Sequence, residues 1–176
     1  RHSKAWAEDQ RLFFVIEFSE PFTEYEVKTL NEENPAAKGI FLFPEGTSNI
    51  VVKVAISAVD LEGAQKNFAA ELQANSFDKA KSRTEKVWRN ELQKVEAEAL
   101  NEEQQHIFYT SLYHSMLAPN VYSDVDGRYR GMDQQIHQDE DHTHYTVFSL
   151  WDTHRTAHPL FTITDQYRTN DFIHTM

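Results

Sequence analysis

The sequence predicts an α+β chain in which an antiparallel strand unit comes first and helices follow. Three observations predict it. Apolar residues alternate at period two through residues 11–58, the period lengthens to that of a helix at Asp60, and a helix starting at Asn101 carries an unusually wide apolar stripe. Together they describe a multidomain piece: part of an antiparallel β-sandwich, then connecting helices, then a helical barrel or bundle.

The strand unit is read in order. Leu12, Phe14, Ile16 and Phe18 point one way and Phe13, Val15 and Glu17 the other, so both faces are mostly apolar and the strand is expected to be covered on two sides. Ser19-Glu20-Pro21 is a turn signal, after which Tyr25, Val27 and Thr29 alternate with Glu24, Glu26 and Lys28 as in a half-exposed strand. Residues 31–39, with Asn34-Pro35, read as a loop and residues 40–43 as a short strand. A turn through Pro44-Glu45-Gly46 leads to residues 50–56, where Ile50, Val52, Val54 and Ile56 share a face. Four such strands alone leave open edges and a bare apolar face, so a partner sheet is expected upstream.

The helices follow. Asp60 caps a helix whose apolar face carries Leu61, Ala64, Phe68 and Leu72. Ser76 or Asp78 starts a charge-rich second helix with Val87, Trp88, Leu92 and Val95 on its buried side, read as a solvated connector. Asn101 begins the third, where Phe108, Leu112 and Met116 and the adjacent Tyr109, Tyr113 and Leu117 predict deep burial, and Pro119 ends it. Residues 120–145 read as a long polar loop, a feature that is usually functional or disordered. An apolar pattern returns at residues 147–164, and Asp165 opens a last helix.

Composition narrows the function classes. A length of 176 residues suits one domain or pieces of two, and 40 % hydrophobic residues allow a modest core. The net charge of −11 repels phosphate backbones and argues against nucleic acid as a partner. No apolar run approaches the ~20 residues of a membrane-spanning helix. The absence of Cys excludes disulfide frameworks and thiolate metal sites. The chain opens on Arg1-His2-Ser3 and stops at Met176 inside an amphipathic pattern, which reads as an internal fragment; no feature specifies an oligomeric state.

The most informative stretch is Trp151-Asp152-Thr153-His154-Arg155. On a helix, residues three and four apart are neighbours, so Trp151, Asp152 and Arg155 would project together. An indole face packs on the apolar C–H face of a sugar, and a carboxylate and guanidinium suit its vicinal hydroxyls. The plainer reading is a core aromatic beside a surface ion pair.

Several longer runs bear on that choice. Arg1-His2-Ser3-Lys4-Ala5-Trp6-Ala7 precedes Phe14-Val15 and Phe18-Ser19-x-Pro21-Phe22. Ser57-Ala58-Val59 is followed by Glu62-Gly63-Ala64 and Asn67, and Phe108-Tyr109-Thr110-Ser111-Leu112-Tyr113-His114 lies in the third helix. Two further runs are Tyr122-Ser123-Asp124-Val125-Asp126-Gly127-Arg128-Tyr129-Arg130-Gly131-Met132-Asp133 and Tyr145-Thr146-Val147-Phe148-Ser149-Leu150-Trp151-Asp152-Thr153. On these runs the chain resembles the calcium-dependent exo-α-mannosidases of glycoside hydrolase family 92. The resemblance implies the end of an N-terminal β-sandwich at residues 1–59, linker helices at 60–100, and the start of an (α/α)6 barrel catalytic domain at 101–176. It implies release of terminal α-linked mannose from glycans with inversion, in which one carboxylic acid protonates the leaving oxygen and a second carboxylate activates water. It implies a calcium ion, export from the cytoplasm, and a sugar-binding role for Trp151, Asp152 and Arg155. The family's general acid, general base and calcium ligands lie mainly downstream of the Trp-Asp-Thr stretch, so none is assigned here and the fragment alone is expected to be inactive.

Other clusters receive plainer readings. Asp126, Arg128, Arg130 and Asp133 form either a loop at the mouth of the site or a salt-bridged loop fixing the first barrel helices together. A calcium EF-hand starting at Asp124 would need Gly and Glu where Tyr129 and Gln135 stand. His137, His142 and His144 with Asp139 and Asp141 match no closed zinc spacing and read as a solvated acidic loop. Trp6 and Trp88 read as packing, and His114 and His158 as structural. Two other classes compete with the enzyme: a non-catalytic carbohydrate-binding module, whose aromatics would lie on the sandwich face, and a structural scaffold, which gives Trp151 and Asp152 no special role.

Overall fold

The amino end of the described chain is built on two antiparallel strand pairs. In the computed structural model, which describes residues 9–29, 37–98, 101–147 and 149–176, β1 (Phe13–Phe18) pairs with β4 (Val52–Ser57), and β2 (Glu24–Thr29) pairs with β3 (Ala37–Leu42). The first pair is in register from Phe13↔Ser57 to Phe18↔Val52. Period-two alternation then sends Phe13, Val15, Ala55 and Ser57 to one face and Phe14, Ile16, Val54 and Ile56 to the other. Helix α1 (Leu61–Glu71) covers the first face. The second stays open among the described residues, with Phe14, Ile16, Val52, Val54 and Ile56 all exposed. The strand expected to be covered twice is thus covered once among the described residues, on the face that α1 reaches. The rings of Phe18, Phe22, Phe41 and Phe43 join the two strand pairs, with centroid separations of 5.0–6.2 Å. Each such pair is worth about 0.5–1.5 kcal/mol beyond its area.

Three helices begin where a short polar side chain can take up an orphan N–H. Asp60 accepts from the Gly63 N–H before α1, Ser76 from the Lys79 N–H before α2 (Phe77–Leu92), and Asn101 from the Gln104 N–H before α3 (Glu102–Ser115). The Gln104 side chain returns a bond to the Asn101 N–H, completing a capping box. Each cap contributes about 1 kcal/mol. Trp88 of α2 meets Tyr113 of α3 edge-on at 4.6 Å, so Trp88 is packing, as read from the sequence. The apolar stripe of α3 is less buried than its width predicts. Leu112 is buried, but Ile107 and the following Leu117 are exposed, the main contact of this helix being with α2.

The polar stretch 120–145 holds regular structure that the sequence reading missed. β5 (Arg128–Arg130) and β6 (Ile136–Gln138) form a short antiparallel hairpin. The neck of this excursion closes where the Tyr122 and Ser123 N–H groups both donate to the His144 carbonyl and the Thr146 N–H donates to the Asn120 carbonyl. The chain then passes through the single turn α4 (Leu150–Thr153) to α5 (Ala157–Thr164) and α6 (Gln166–Thr175). Asp165 caps α6 through the Arg168 N–H, and Phe161 packs on Phe172 at 5.4 Å. The run around Trp6, residues 31–36 of the loop read at 31–39, and Phe148 lie outside the described residues, while residues 37–39 of that loop belong to β3.

Candidate functional site

The corner between β4 and α1 is the most buried part of the described chain. Ser57, Ala58 and Val59 are each below a tenth exposed, as are Ala64 and Asn67 on the inner face of α1. The buried face of α1 therefore runs through Gly63, Ala64 and Asn67 and not through Leu61, which is half exposed. The reason lies in the partner. A polar segment, 124–130, packs on this face and selects small and polar residues over large apolar ones.

Asp124 is the centre of that contact and is 5 % exposed. Its Oδ2 accepts from the Ser57 hydroxyl at 2.7 Å and its Oδ1 from the Asn67 amide at 2.8 Å. Asn67 also donates to the Ile56 carbonyl and accepts from the Val125 N–H. Gly63 makes room: a Cβ there would collide with Asp124 Oδ2 and come within 2.7 Å of Ser57 Oγ. Gly127 supplies the tight turn, with φ of 79° and its N–H donating to the Asp124 carbonyl. Arg128 then forks onto Asp60, with Nη1 to Oδ2 at 2.8 Å, and its Nε reaches Asp126 at 2.8 Å. Arg130 donates to the carbonyls of Ala58 and Val59, both at 2.9 Å. The Arg128 fork, aided by the Gly63 N–H, holds the Asp60 carboxyl below its ordinary pKa. Of the two readings of this loop, the salt-bridged one describes what is seen, with a different partner: the loop is fastened to the β4–α1 corner.

The histidines beyond it are ordered. Asp139 accepts from the N–H groups of Asp141 and His142, and its Oδ2 lies 3.3 Å from His142 Nδ1 and 3.2 Å from His144 Nε2. The two backbone donors, the Asp141 N–H foremost, and the histidines outweigh desolvation and lower the Asp139 pKa to about 2. His144 is buried and stacks on Tyr129 at 3.6 Å. Among the described residues no three His, Cys, Asp or Glu side chains come together as a metal site.

Trp151 and Asp152 sit on α4, and both are exposed; Trp151 is 86 % exposed. The turn is held by its own backbone, with the Ser149 carbonyl accepting from the Asp152 and Thr153 N–H groups. α4 stops at Thr153 and His154 follows as its cap, so Arg155 lies beyond the helix and makes no ion pair with Asp152 within 4 Å. A cavity of about 250 Å³ elsewhere is lined by Pro119, Tyr145, Phe161, Phe172 and the ion-pair square of Glu91, Lys94, Asp165 and Arg168. Its charges neutralise one another, and neither Trp151 nor Asp152 faces it.

Comparison with known proteins bears on what these residues belong to. The Glycosyl hydrolase family 92 catalytic domain profile matches residues 63–176. Among solved structures, the chain is similar to the family GH92 alpha-mannosidase BT3965 from Bacteroides thetaiotaomicron. The TM-score is 0.85 at 31 % identity, over 98 % of this chain and 25 % of that one. The complex of BT3965 with mannoimidazole gives a TM-score of 0.84 at 32 % identity with the same coverage. The family GH92 inverting mannosidase BT2199 from Bacteroides thetaiotaomicron VPI-5482 matches at a TM-score of 0.74 and 27 % identity, over 86 % of this chain and 22 % of that one. No curated protein matches. The chain spans about a quarter of the length of the mannosidases it matches. Its mixture of helices and small antiparallel sheets is theirs, and over nearly its whole length the chain belongs to glycosyl hydrolase family 92.

Proposed function

We propose that this chain is part of an exo-α-mannosidase that releases terminal α-linked mannose from glycans with inversion of configuration, and that Trp151 and Asp152 form one wall of its mannose site. One observation carries the reading: in a chain of a glycoside hydrolase family, a tryptophan stands 86 % exposed beside an exposed carboxylate. Covering an indole is worth about 2 kcal/mol or more, and in this reading a pyranose ring is what covers it. The indole supplies an apolar platform for the C–H face of a pyranose, and Asp152 accepts hydrogen bonds from its hydroxyls. Arg155, unpaired with Asp152, is free to donate to a further hydroxyl.

In this reading residues 1–59 close an N-terminal β-sandwich, 60–100 are linker helices and 101–176 start an (α/α)6 barrel. The open apolar face of β1 and β4 supports a covering sheet elsewhere in the protein. The carboxylic acid that protonates the leaving oxygen and the carboxylate that activates water are assigned to the remainder of the protein. Calcium ligands are assigned there too, as the family resemblance implies; calcium would contribute hard oxygen coordination to the sugar hydroxyls. An exported location follows from the same reading. The test is mannose release from an aryl α-mannoside by the full-length gene product, with the anomer of the nascent sugar followed by NMR. Asp152→Ala is expected to lower kcat/KM by about 2–4 kcal/mol, the scale of a charge-assisted hydrogen bond left unmade. Hydrolysis by the isolated 176-residue chain, or full activity in Asp152→Ala, would refute the assignment.

A further inference from the structure

α4 is four residues long, and the two side chains assigned to the sugar lie on its exposed surface. Trp151 makes no ring contact among the described residues, and Asp152 and Arg155 make no ion pair within 4 Å. A turn this short takes its orientation from the chain on either side. On the carboxyl side that anchor is α5, through the buried Phe161. On the amino side it is the neck at 144–146, three residues before Ser149 opens α4.

The His144 carbonyl of the neck accepts from the Tyr122 and Ser123 N–H groups, at 2.8 and 3.1 Å. Ser123 Oγ accepts from the His144 N–H, and Thr146 Oγ1 accepts from the Asn120 N–H. The next residue after Ser123 is Asp124, whose carboxylate is locked to Ser57 and Asn67. A hydrogen-bonded path thus runs from the β4–α1 corner through Asp124 to Thr146 of the neck, four residues before α4 begins at Leu150. A further tie, from the Tyr145 N–H to Thr175 Oγ1 at 3.1 Å, holds the neck against α6.

We infer that Asp124 is a positioning residue: by clamping the neck to Ser57 and Asn67, it sets the orientation of Trp151 and Asp152 from the β4–α1 corner. Three features separate this from ordinary packing. Ser57, Asn67 and Asp124 are three of the five buried polar residues among those described, so the buried polarity of the chain concentrates here. Gly63 has no room for a side chain because of Asp124, so the approach of carboxylate to helix is built in from both sides. Arg128 and Arg130 repeat the attachment a few residues on, to Asp60, Ala58 and Val59, which leaves the segment no freedom to slide. Buried polar networks that are fully paired specify one geometry. The inference rests on the sugar-wall reading for its functional consequence and on the hydrogen-bond path for its structural one.

The experiment compares Asp124→Asn with wild type in the full-length gene product, with Lys66→Met as a control that breaks an exposed ion pair at the same corner. Asp124→Asn keeps the shape and an oxygen for Asn67 but sets an amide NH2 against the Ser57 hydroxyl, which needs an acceptor there and already accepts from the Val59 N–H. We expect kcat/KM on an aryl α-mannoside to fall at least tenfold in protein that is folded by circular dichroism, with the control within twofold. Hydrogen–deuterium exchange is expected to rise at 144–146 and 149–154 in Asp124→Asn. A purely structural role predicts a lower melting temperature with unchanged kcat/KM and unchanged exchange at 149–154, and that result overturns the inference. Should Asp124→Asn not fold, Ser57→Ala removes the Ser57 bond of the same clamp, together with the acceptor of the Val59 N–H, and is read by the same criteria. Should Asp152→Ala leave kcat/KM intact, the sugar-wall reading falls, while exchange at 149–154 still decides whether Asp124 positions α4.

Discussion

Two polar segments of this chain, 124–130 and 150–155, look alike in sequence and behave oppositely in the fold. Each is short, charged and outside any long helix or strand. In the first, nearly every charge is spent on the protein itself: Asp124 on Ser57 and Asn67, Arg128 on Asp60 and Asp126, Arg130 on two carbonyls. In the second, Trp151 is bare, and Asp152 and Arg155 form no pair within 4 Å of each other. Buried polar groups are tolerated when paired, and exposed ones are available to a ligand. The contrast separates the segment that builds the frame from the segment that the frame holds out.

That contrast is sharpest when each segment is truncated. Asp124→Ala leaves the Ser57 O–H and one N–H of the Asn67 amide without an acceptor in a buried place, and is expected to cost about 3 kcal/mol or more in chemical denaturation. Trp151→Ala removes an exposed side chain, and its effect on the same transition is expected to stay within about 0.5 kcal/mol. Equal losses at the two positions would erase the distinction. Gly63→Ala tests the same corner by adding atoms: a Cβ has no space beside Asp124 Oδ2 and Ser57 Oγ, and overpacking of this kind costs about 1–3 kcal/mol. A neutral Gly63→Ala would mean that α1 shifts freely and that the clamp is loose.

The frame was partly legible in the sequence and the clamp was not. The helix starts at Asp60, Ser76, Asn101 and Asp165 could be read because capping is local: the acceptor and the N–H it serves lie three residues apart. The four strands were legible from period-two alternation for the same reason. The pairing of Asn67 with Asp124 spans 57 residues and leaves no local period. Its one trace is Gly63 four residues before Asn67, a small and a polar residue on a helix face that an apolar pattern would place in the core. The β5–β6 hairpin was hidden because polar residues stand on both of its faces, so Arg128-Tyr129-Arg130 opposite Ile136-His137-Gln138 shows no apolar alternation. Of the candidate site, Trp151 and Asp152 were named from spacing on a helix, but that helix ends at Thr153 and Arg155 falls outside it.

A second fastening offers a smaller test of the same comparison. Arg168 binds Glu91 through both guanidinium nitrogens at 3.1 Å, and Lys94 bridges Glu91 and Asp165. Partial burial pushes the Glu91 carboxyl up, yet bonds from Arg168 and Lys94 outweigh it and hold the pKa below its ordinary value. Glu91→Gln keeps the shape and removes the charge, and is expected to cost about 1–2 kcal/mol in denaturation, less than the loss at Asp124 because Glu91 stays partly in water. A larger loss than at Asp124 would transfer the main role in the frame to the α2–α6 contact.

The smallest expected effect is on acid stability, and it concerns the hairpin between the two segments. The Asp139 carboxyl has its pKa lowered from 3.8 to about 2, by the Asp141 and His142 N–H groups and by His144. A depressed folded-state pKa means that the unfolded chain binds the proton more readily. The stabilisation is therefore complete above about pH 4 and is lost as the pH falls toward 2. Asp139→Asn still accepts both backbone N–H bonds through its amide oxygen but carries no titrating charge. Its unfolding midpoint should therefore fall less steeply than that of wild type between pH 4 and 2, with parallel curves above that window. Circular dichroism melts at closely spaced pH values measure this slope. Identical slopes would show that the Asp139 charge contributes nothing and that its two backbone bonds alone hold the hairpin. Because the neck closes on the carbonyl of His144, whose ring faces this carboxylate, a shallower slope would also tie the charge to the chain that leads into α4.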